Sequence, residues 1–242
     1  MNLSGRVALV TGAGHRLGRA LAVALGEEKM QVAVHFNSAR AEATETAALI
    51  EQAGGRAVLF EKDLTEASAP RELVESVVRK MGPLAVVVNS AAVMLRTPVK
   101  DVTTDEWDMM FALNLRAPFF VAQTAAIHME EPGAIINIAD LAAFETWPAY
   151  IPHAISKAAL VKMTESLARV LSPSIRVNAI APGAVLPPAE WDAATFARLA
   201  ETTPLKRLGA PSDVVEAMLY LLRADYVTGE TIIVDGGRHI RK

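Results

Sequence analysis

The sequence predicts a single α/β domain in which a doubly wound, seven-stranded parallel sheet carries helices on both faces. Short β-branched runs alternate with longer stretches of helical periodicity along the chain. Such alternation requires parallel strands joined by crossover helices on both sides of the sheet. The length of 242 residues suits one domain of this class, and the chain contains no internal repeat or interdomain linker. We therefore expect residues 1–242 to form one domain.

The predicted strands are short apolar runs that recur between the helical stretches. They lie at residues 7–10, 31–36, 57–60, 84–88, 134–138, 175–180 and 231–234. The predicted helices occupy residues 17–28, 41–53, 69–80, 105–129, 153–171 and 212–222. Ser212 and Asp213 follow Pro211 and predict the N-terminal cap of the last helix, while Gly54-Gly55 predicts the end of the second.

The segment at about 184–204 interrupts the alternation of strands and helices, because it contains no predicted strand. It carries Pro187-Pro188, then Trp191, then an amphipathic piece at 192–200. Ligands of open α/β sheets bind outside the carboxyl ends of the strands, so a segment after the sixth strand is well placed to cover a substrate. An ordinary surface excursion is the alternative.

Composition excludes several classes of function. The chain is 52% hydrophobic and 21% charged with a net charge of -3, so nucleic acid is not an expected partner. It contains no cysteine, which excludes disulfides and thiolate metal sites and fits a reducing compartment. Its five histidines are scattered without ligand-like spacing, so no metal is expected. No secretory pattern or apolar run of about 18 residues is present, and we expect a cytoplasmic protein without a membrane span.

A glycine-rich turn joins the first predicted strand to the first helix. Its residues are Gly12, Gly14, His15, Arg16, Leu17 and Gly18. Glycines permit a tight turn, close approach of the backbone to a ligand and close packing of helix on strand. The helix N-terminus then offers free N–H groups to a pyrophosphate. This context predicts a Rossmann-type dinucleotide site.

The end of the second predicted strand indicates which dinucleotide binds. An acidic residue about 20 positions beyond the glycine turn would bind the ribose hydroxyls of NAD, but residues 35–40 contain none. Arg16 and Ser38 offer donors to a 2′-phosphate, and arginine suits phosphate. Arg40 is a further candidate donor, although it also begins a helix. We therefore expect NADPH (NADP) as the cofactor.

Landmarks spread along essentially the whole chain resemble the short-chain dehydrogenase/reductase family. They are Thr11-Gly12 to Gly18, Asp63, Asn89-Ser90-Ala91-Ala92, Asn114, Asn137-Ile138-Ala139-Asp140, Ser156-Lys157-Ala158-Ala159 and Pro182-Gly183. Their joint order makes coincidence remote. The resemblance implies an NADPH-dependent short-chain reductase.

By position, the resemblance also implies roles for individual residues. Asp63 would contact the adenine region, Asn89 would form the cofactor floor, Asn114 would hold a proton-relay water, and Lys157 would bind the nicotinamide ribose. The cofactor-binding residues predicted in this way are Gly12, Gly14, His15, Arg16, Leu17, Gly18, His35, Asn37, Ser38, Asp63, Leu64, Asn89, Ser90, Ala91, Lys157, Pro182 and Gly183.

Two features are similar to pteridine reductases and dihydromonapterin reductases. The glycine turn has the form Thr-Gly-x-x-x-Arg-x-Gly, and Asp140 stands where the family usually has a catalytic serine. Residues 235–239 also resemble the ending of the second group. The resemblance implies hydride transfer to a C=N or C=O of a pterin-like substrate. Phe144, Trp147 and Trp191 are candidate stacking surfaces.

The family's Tyr-x-x-x-Lys signature is altered, because His153 occupies the tyrosine position four residues before Lys157. These two residues share a helix face. Tyr150 is separated from them by Pro152, which disfavours helical geometry at Ile151, so we expect Tyr150 at the helix entrance. A protonated histidine, the imidazolium form, can donate the proton that tyrosine would supply.

The charges around His153 decide whether it can act as the acid. The Lys157 cation disfavours an imidazolium, whereas a nearby Asp140 carboxylate favours it. We expect the catalytic residues to be Asn114, Asp140, His153 and Lys157, and reductase activity to rise as the pH falls through the histidine titration.

Three functions remain open. The first is an NADPH-dependent reductase of a small, pterin-like substrate, and the second is a reductase of 3-oxoacyl thioesters or other ketones. The third is an NADP(H)-binding sensor or assembly protein that lost catalysis. Asn114, Lys157 and the complete cofactor set favour an enzyme.

The family resemblance also implies a homotetramer, formed through the long helices and the C-terminal strand. The basic end at residues 238–242 would reach a neighbouring subunit's site or lie in solvent.

Overall fold

The computed structural model describes residues 1–186 and 192–240, which form one seven-stranded sheet. The strands are β1 (Val7–Thr11), β2 (Gln31–Phe36), β3 (Arg56–Glu61), β4 (Leu84–Asn89), β5 (Met129–Ile138), β6 (Ile175–Pro182) and β7 (Thr231–Val234). Every pairing is parallel, in the order β3-β2-β1-β4-β5-β6-β7. The predicted seven-stranded parallel sheet is confirmed. Pro187-Pro188 and Trp191 lie outside the described residues.

The described helices alternate with the strands. They are α1 (Arg16–Glu27), α2 (Arg40–Gln52), α3 (Ala69–Met81), α4 (Thr104–Phe111), α5 (Ala117–His128), α6 (Ile151–Leu171), α7 (Ala193–Glu201) and α8 (Pro211–Arg223). Most bounds differ from the predicted ones by one or two residues. The amphipathic piece predicted at 192–200 is α7, and Asp192 caps it by accepting a hydrogen bond from the Thr195 backbone at 2.7 Å.

The sheet is buried on both faces by two apolar clusters. Side chains alternate along β1, so that Val10 joins one cluster and Leu9 the other. The first cluster packs the sheet against α1, α2 and α8, and the second packs it against α3, α5 and α6. This double coverage is the reason that the strands are apolar throughout.

The predicted helix at residues 105–129 is divided in the structure. A π-helical turn, Ala112–Arg116, separates α4 from α5, and Asn114 within this turn is completely buried. By length and composition the stretch Thr104–His128 would also pass as a membrane span. Half of its most apolar part is buried inside the protein, as in the core helix of a folded domain.

The starts of α6 and α8 differ from the prediction. Helix α6 begins at Ile151 with Pro152 in its first turn, where a proline is tolerated because first-turn N–H groups have no helical partner. Helix α8 is capped from Ala210, and Ser212 is not its cap. The Asp213 carboxylate instead reaches back to accept the Ala210 N–H at 2.7 Å, so proline takes the first helical position and aspartate the third.

The strand order reverses between β1 and β4, its neighbour on the other side from β2. The connections after these two strands therefore leave in opposite directions and open a crevice at the carboxyl edge of the sheet. This edge positions the candidate site.

Candidate functional site

A cavity of about 1200 Å³ lies at the carboxyl edge of the sheet. Nearly all of the predicted site residues line it. They are Gly12, Gly14, His15, Arg16, Leu17, Gly18, His35, Asn37, Ser38, Asp63, Leu64, Ser90, Ala91, Asp140, His153, Lys157, Pro182 and Gly183. Asn89 and Asn114 are the two predicted residues that do not line the cavity.

Asn89 and Asn114 lie behind the cavity wall as buried supports. Asn89 Nδ2 donates to Asn137 Oδ1 at 2.9 Å. Asn114 holds the backbone of Val93 from both sides, accepting from its N–H and donating to its carbonyl, each at 2.9 Å. In this structure Asn114 therefore positions the chain after β4 rather than facing the cavity.

The glycine turn requires glycine at two positions for steric reasons. Gly12 has a φ of 66°, and a Cβ there would come within 2.8 Å of Ala91 Cα. A Cβ on Gly18 would come within 2.1 Å of the Gly12 carbonyl oxygen. Thr11 completes the contact, since its hydroxyl accepts from the Ser90 and Ala91 N–H groups at 3.0 and 3.1 Å.

The N-terminus of α1 faces this turn with no competing cap. His15 occupies the N-cap position without a side-chain hydrogen bond, and the first turn contains no acidic residue. The free N–H groups and the positive end of the helix dipole can therefore bind a phosphate.

His35 ties the glycine turn to the ends of β2 and β3. Its Nδ1 accepts from the Gly12 N–H at 3.1 Å, and its Nε2 lies 2.9 Å from the Lys62 carbonyl oxygen. This pair of contacts fixes a neutral tautomer with the proton on Nε2. Burial lowers the pKa of His35 to about 4, because an imidazolium would be desolvated there.

The side chains beyond β2 favour a phosphate over ribose hydroxyls. Asn37 and Ser38 line the cavity, and the Arg16 side chain donates to the Leu186 carbonyl oxygen across the cavity mouth. Arg40 does not line the cavity. It pairs with Glu61 and stacks over Phe36, so the structure gives no support to its role as a phosphate donor.

Asp63 follows β3 at the same edge of the sheet. Its carboxylate accepts from the Thr65 N–H at 2.9 Å and from the Thr65 hydroxyl at 2.8 Å. These hydrogen bonds lower the pKa of Asp63 and keep it ionised.

His153 lies on α6, buried at 2% exposure. Its Nδ1 is 3.2 Å from the Val93 carbonyl oxygen and 3.5 Å from Asn114 Nδ2. Because Asn114 Nδ2 already donates to Val93 and to the Ser156 hydroxyl, we assign a proton to His153 Nδ1 that is shared with the Val93 carbonyl oxygen. Its Nε2 is buried without a hydrogen-bond partner among the described residues. The Asp140 carboxylate lies beside it, with Oδ2 at 3.6 Å from Nε2. A second proton on Nε2 would therefore face a carboxylate.

Asp140 is held beside this imidazole by its own backbone. It caps the short 3₁₀ turn Leu141–Ala143, with Oδ1 accepting from the Ala142 N–H at 2.7 Å. This contact leaves Oδ2 directed to His153.

Lys157 lies one turn after His153 on the same face of α6. Its ammonium donates to the Ile138 carbonyl oxygen at 2.7 Å. Burial lowers its pKa to about 8, and the Asp140 carboxylate opposes that shift. Lys157 therefore remains mainly protonated at neutral pH.

The aromatic expectations are met only in part. Trp147 and Tyr150 line the cavity, with ring centroids 6.0 Å apart, and Tyr150 is the N-cap of α6, at the helix entrance. Phe144 is 47% exposed and does not line the cavity. Trp191 is outside the described residues.

The described part of the basic end is divided between the cavity and solvent. Arg238 lines the cavity of its own chain, whereas His239 and Ile240 are exposed. Sequence patterns do not predict the contact of Arg238, because it joins residues far apart in the chain. Arg241 and Lys242 are outside the described residues.

Residues 1–186 and 192–240 contain no group of three or more histidine, cysteine, aspartate or glutamate side chains that could hold a metal ion.

Proteins of known family are similar to this chain over nearly its whole length. A family model described as enoyl-(acyl carrier protein) reductase matches residues 12–239. A protein named as ketoacyl reductase 2 of the granaticin polyketide synthase, from Streptomyces violaceoruber, is 35% identical over 245 aligned positions, covering 97% of this chain and 96% of the relative.

Solved structures are similar to the same extent. The angucycline C-6 ketoreductase LanV with bound NADP superposes with a TM-score of 0.93 at 31% identity, covering 99% of this chain and 98% of LanV. A blue fluorescent protein from a metagenomic library, in complex with NADPH, superposes with a TM-score of 0.92 at 32% identity, covering 98% and 99% of the two chains.

Proposed function

Because this chain belongs to the short-chain dehydrogenase/reductase family, we propose that it is an NADPH-dependent reductase of a small-molecule ketone. The observation that carries the proposal is the His153 imidazole. Its Nε2 has no hydrogen-bond partner among the described residues, lies 3.6 Å from a carboxylate and is one helical turn from Lys157. These three groups line the same cavity as the glycine turn.

The residues present fit a dinucleotide with a 2′-phosphate. The uncapped N-terminus of α1 would hold the pyrophosphate, and Asn37 and Ser38 would hold the 2′-phosphate beside Arg16. No carboxylate between Phe36 and Arg40 would repel that phosphate. LanV and the metagenomic fluorescent protein, solved with NADP and NADPH, support the same cofactor here.

When bound, NADPH supplies a hydride to the carbonyl carbon. We propose that His153, in the place of the family's tyrosine, donates the proton that the carbonyl oxygen then requires. Asp140 stabilises the imidazolium before transfer, and the Val93 carbonyl oxygen keeps Nδ1 protonated so that Nε2 is the donor. Solvent protons restore the imidazolium after each turnover.

Lys157 and Asn114 prepare this chemistry without taking part in the transfer. The Lys157 ammonium would bind the nicotinamide ribose while its contact with Ile138 holds it against the sheet. Asn114 positions the Val93 carbonyl oxygen, and through it the His153 ring.

The segment at about 184–204 would cover the substrate. Ala184, Val185 and Leu186 line the cavity from the end of β6, and Leu199 lines it from α7. An apolar cover of this kind excludes water from the carbonyl and favours hydride transfer over side reactions.

Ketones are preferred here to pterins as substrates. The ketoacyl reductase of the granaticin synthase and LanV are both named for keto groups. The pterin-like substrate rests on the sequence resemblance alone, and neither relative's name supports it.

We further propose a homotetramer, which the family resemblance implies, and a cytoplasmic location, which the lack of cysteine fits. Phe119 and Phe120 are each 37% exposed on α5, and with Met163 of α6 they line a shallow pocket on the surface. A second copy of the chain would cover this apolar face.

NADPH oxidation with a panel of aromatic ketones, an acetoacetyl thioester, a quinone and dihydrobiopterin tests the proposal. We expect alcohol formation from at least one ketone, and NADPH to be favoured over NADH by roughly 10- to 100-fold. Ser38→Asp should reverse this preference, whereas Ser76→Asp on α3, at a half-buried site outside the cavity lining, should not. Tight NADPH binding without turnover of any compound would instead indicate a non-catalytic NADP(H)-binding protein.

A further inference from the structure

The cavity continues beyond His153 into a region with a mixed lining. Its walls are mainly apolar, with Met94, Met109, Leu113, Trp147 and Leu199. Two arginines, Arg96 and Arg238, line the same region. A neutral ketone has no use for two guanidinium groups, so their presence calls for an explanation.

A hydrogen-bonded turn after β7 places Arg238 at the cavity. The Asp235 carboxylate accepts from the Gly237 N–H at 2.8 Å, the His239 N–H at 2.6 Å and His239 Nδ1 at 2.8 Å. Gly237 then packs on Pro204, next to the covering segment. Arg238 is therefore held in place by its neighbours and is not part of a fraying end.

The contacts of the Arg238 side chain leave its outer edge available. Its guanidinium lies over the Trp147 ring, 5.8 Å from the centroid, and its Nε is 3.6 Å from Glu145 Oε2. That glutamate oxygen already accepts from Trp147 Nε1 at 2.9 Å. Within residues 1–186 and 192–240 the two Nη atoms have no hydrogen-bond partner, although the side chain is only 25% exposed.

Arg96 approaches the same region from the chain after β4. The Thr97 N–H donates to the Ala149 carbonyl oxygen at 2.8 Å, which holds the segment of Arg96 beside the segment of Trp147. Arg96 is exposed and lines the mouth of the cavity without forming an ion pair with any described residue.

The charges that face this region are unbalanced. The cations that line the cavity here are Arg96, Lys157 and Arg238, and the carboxylate beside them is Asp140. The other carboxylate that lines the cavity, Asp63, follows the end of β3. Asp140 is already committed to His153 and to the Ala142 N–H. Glu145 offsets Arg238 only from its Nε side. An anionic ligand would restore the balance.

We propose that Arg238 and Arg96 bind a carboxylate on the substrate, so that the enzyme reduces keto acids in preference to neutral ketones. The apolar walls and Trp147 would hold the body of the molecule, and the planar fork of Arg238 suits two carboxylate oxygens. This proposal rests on the reductase function proposed above and names its class of substrate.

Matched acids and esters test the proposal. Benzoylformate, benzoylacetate and benzoylpropionate place the carboxylate at increasing distances from the ketone, and the methyl ester of each removes the charge. We expect at least one acid to exceed its ester in kcat/KM by about tenfold or more with NADPH. Arg238→Gln and Arg96→Gln should each lower this acid-to-ester ratio, Arg238→Gln by roughly 10- to 100-fold. Arg238→Lys should retain part of the ratio, and Arg79→Gln on α3 should leave it as in the wild type.

Two results would overturn the carboxylate site while leaving the reductase function intact. One is an acid-to-ester ratio of kcat/KM that stays unchanged in both glutamine variants, and the other is a wild-type enzyme that prefers the esters. If no acid or ester is reduced, the reductase function is in doubt, and calorimetric titration of the acids into NADP⁺-loaded protein decides the carboxylate site separately. Binding that is lost in Arg238→Gln supports the site, and absence of binding by all three acids rejects it.

Discussion

The His35 ring connects three backbone segments of the nucleotide site through two hydrogen bonds. It receives the Gly12 N–H and contacts the Lys62 carbonyl oxygen, and both contacts require the neutral form. Sequence reasoning placed His35 beside the cofactor. The structure adds that it acts on the glycine turn, and a histidine in a buried strand end gives no sign of which backbone group it will meet.

The lowered pKa of His35 predicts a specific loss of stability in acid. Between about pH 6.5 and pH 4 the unfolded chain binds a proton on His35 that the native chain does not. The free energy of unfolding therefore falls as the pH is lowered through this range, by up to about 3 kcal/mol.

Urea unfolding of the wild type and of His35→Asn, measured across this range, isolates the effect. Asparagine retains an acceptor for the Gly12 N–H and cannot titrate, so the variant should lose less stability in acid. His128→Asn, at the end of α5, is the control and should follow the wild type. Identical slopes for His35→Asn and the wild type would show that His35 does not carry the effect.

Other residues show which parts of the site the sequence could predict. The glycine turn, Asp63 and Lys157 are local motifs, and the structure places all of them on one cavity. Of the two interpretations left open for Arg40, the structure supports the start of a helix: Arg40 begins α2 and pairs with Glu61 at the end of β3. Sequence patterns do not place Arg96 or Arg238 in the cavity of their own chain, since only the folded chain brings Arg238 over Trp147 and both arginines to the cavity.

At the scale of elements, the helix ends were harder to predict than the helices. The start of α8 depends on Asp213, which accepts from Ala210 and also binds Arg207 through both oxygens, at 2.9 and 3.0 Å. The hydrogen bonds from Arg207 and Ala210 lower the pKa of Asp213 to about 2. The sequence suggested a cap at Pro211-Ser212-Asp213 but did not show which backbone group the carboxylate would bind.

Replacing the Asp213 carboxylate should cause a modest loss in the free energy of unfolding. Asp213→Ala leaves the N–H of the N-cap residue Ala210 without its acceptor, removes the pair with Arg207, and should lower the free energy of unfolding by about 1 kcal/mol. For a chain of this length that corresponds to a melting temperature about 2–4 °C lower. Differential scanning calorimetry of Asp213→Ala and of Ser212→Ala, which removes no cap contact, measures it, and equal losses in the two variants would refute the capping role.

The π turn at Ala112–Arg116 illustrates a second limit of sequence patterns. The apolar periodicity of residues 105–129 continues through it, so a single helix is the natural prediction. The extra residue in the turn brings Asn114 inward to hold Val93. π-Helical turns of this kind often accompany functional sites.

At the scale of the whole molecule, the seven-stranded parallel sheet followed from the sequence because seven apolar runs alternate with helices, whereas the strand order came only from the structure. Continuous apolar strands require cover on both faces, and only crossover helices supply it. The position of the cavity then follows from the reversal of strand order beside β1. Quaternary structure does not follow in this way, because an exposed apolar face does not show how many copies cover it.

The apolar face on α5 predicts an oligomer that charge can disrupt. The double variant Phe119→Glu and Phe120→Glu should sediment as a smaller species than the wild type, because like charges would meet across the interface. Val99→Glu, at a site that is 69% exposed and away from that face, should not change the assembly. A wild-type protein that sediments as a monomer would remove this face as an interface.

The most direct test of the account is the pH dependence of ketone reduction with NADPH. A general acid must be protonated to act, so kcat/KM should rise as the pH is lowered from about 7 towards about 5, below the range in which Lys157 loses its proton. In His153→Tyr any remaining activity should lose this dependence, because tyrosine stays protonated throughout that range. A wild-type profile that is flat from about pH 5 to 7, or one that His153→Tyr leaves unchanged, would contradict the assignment of His153 as the proton donor.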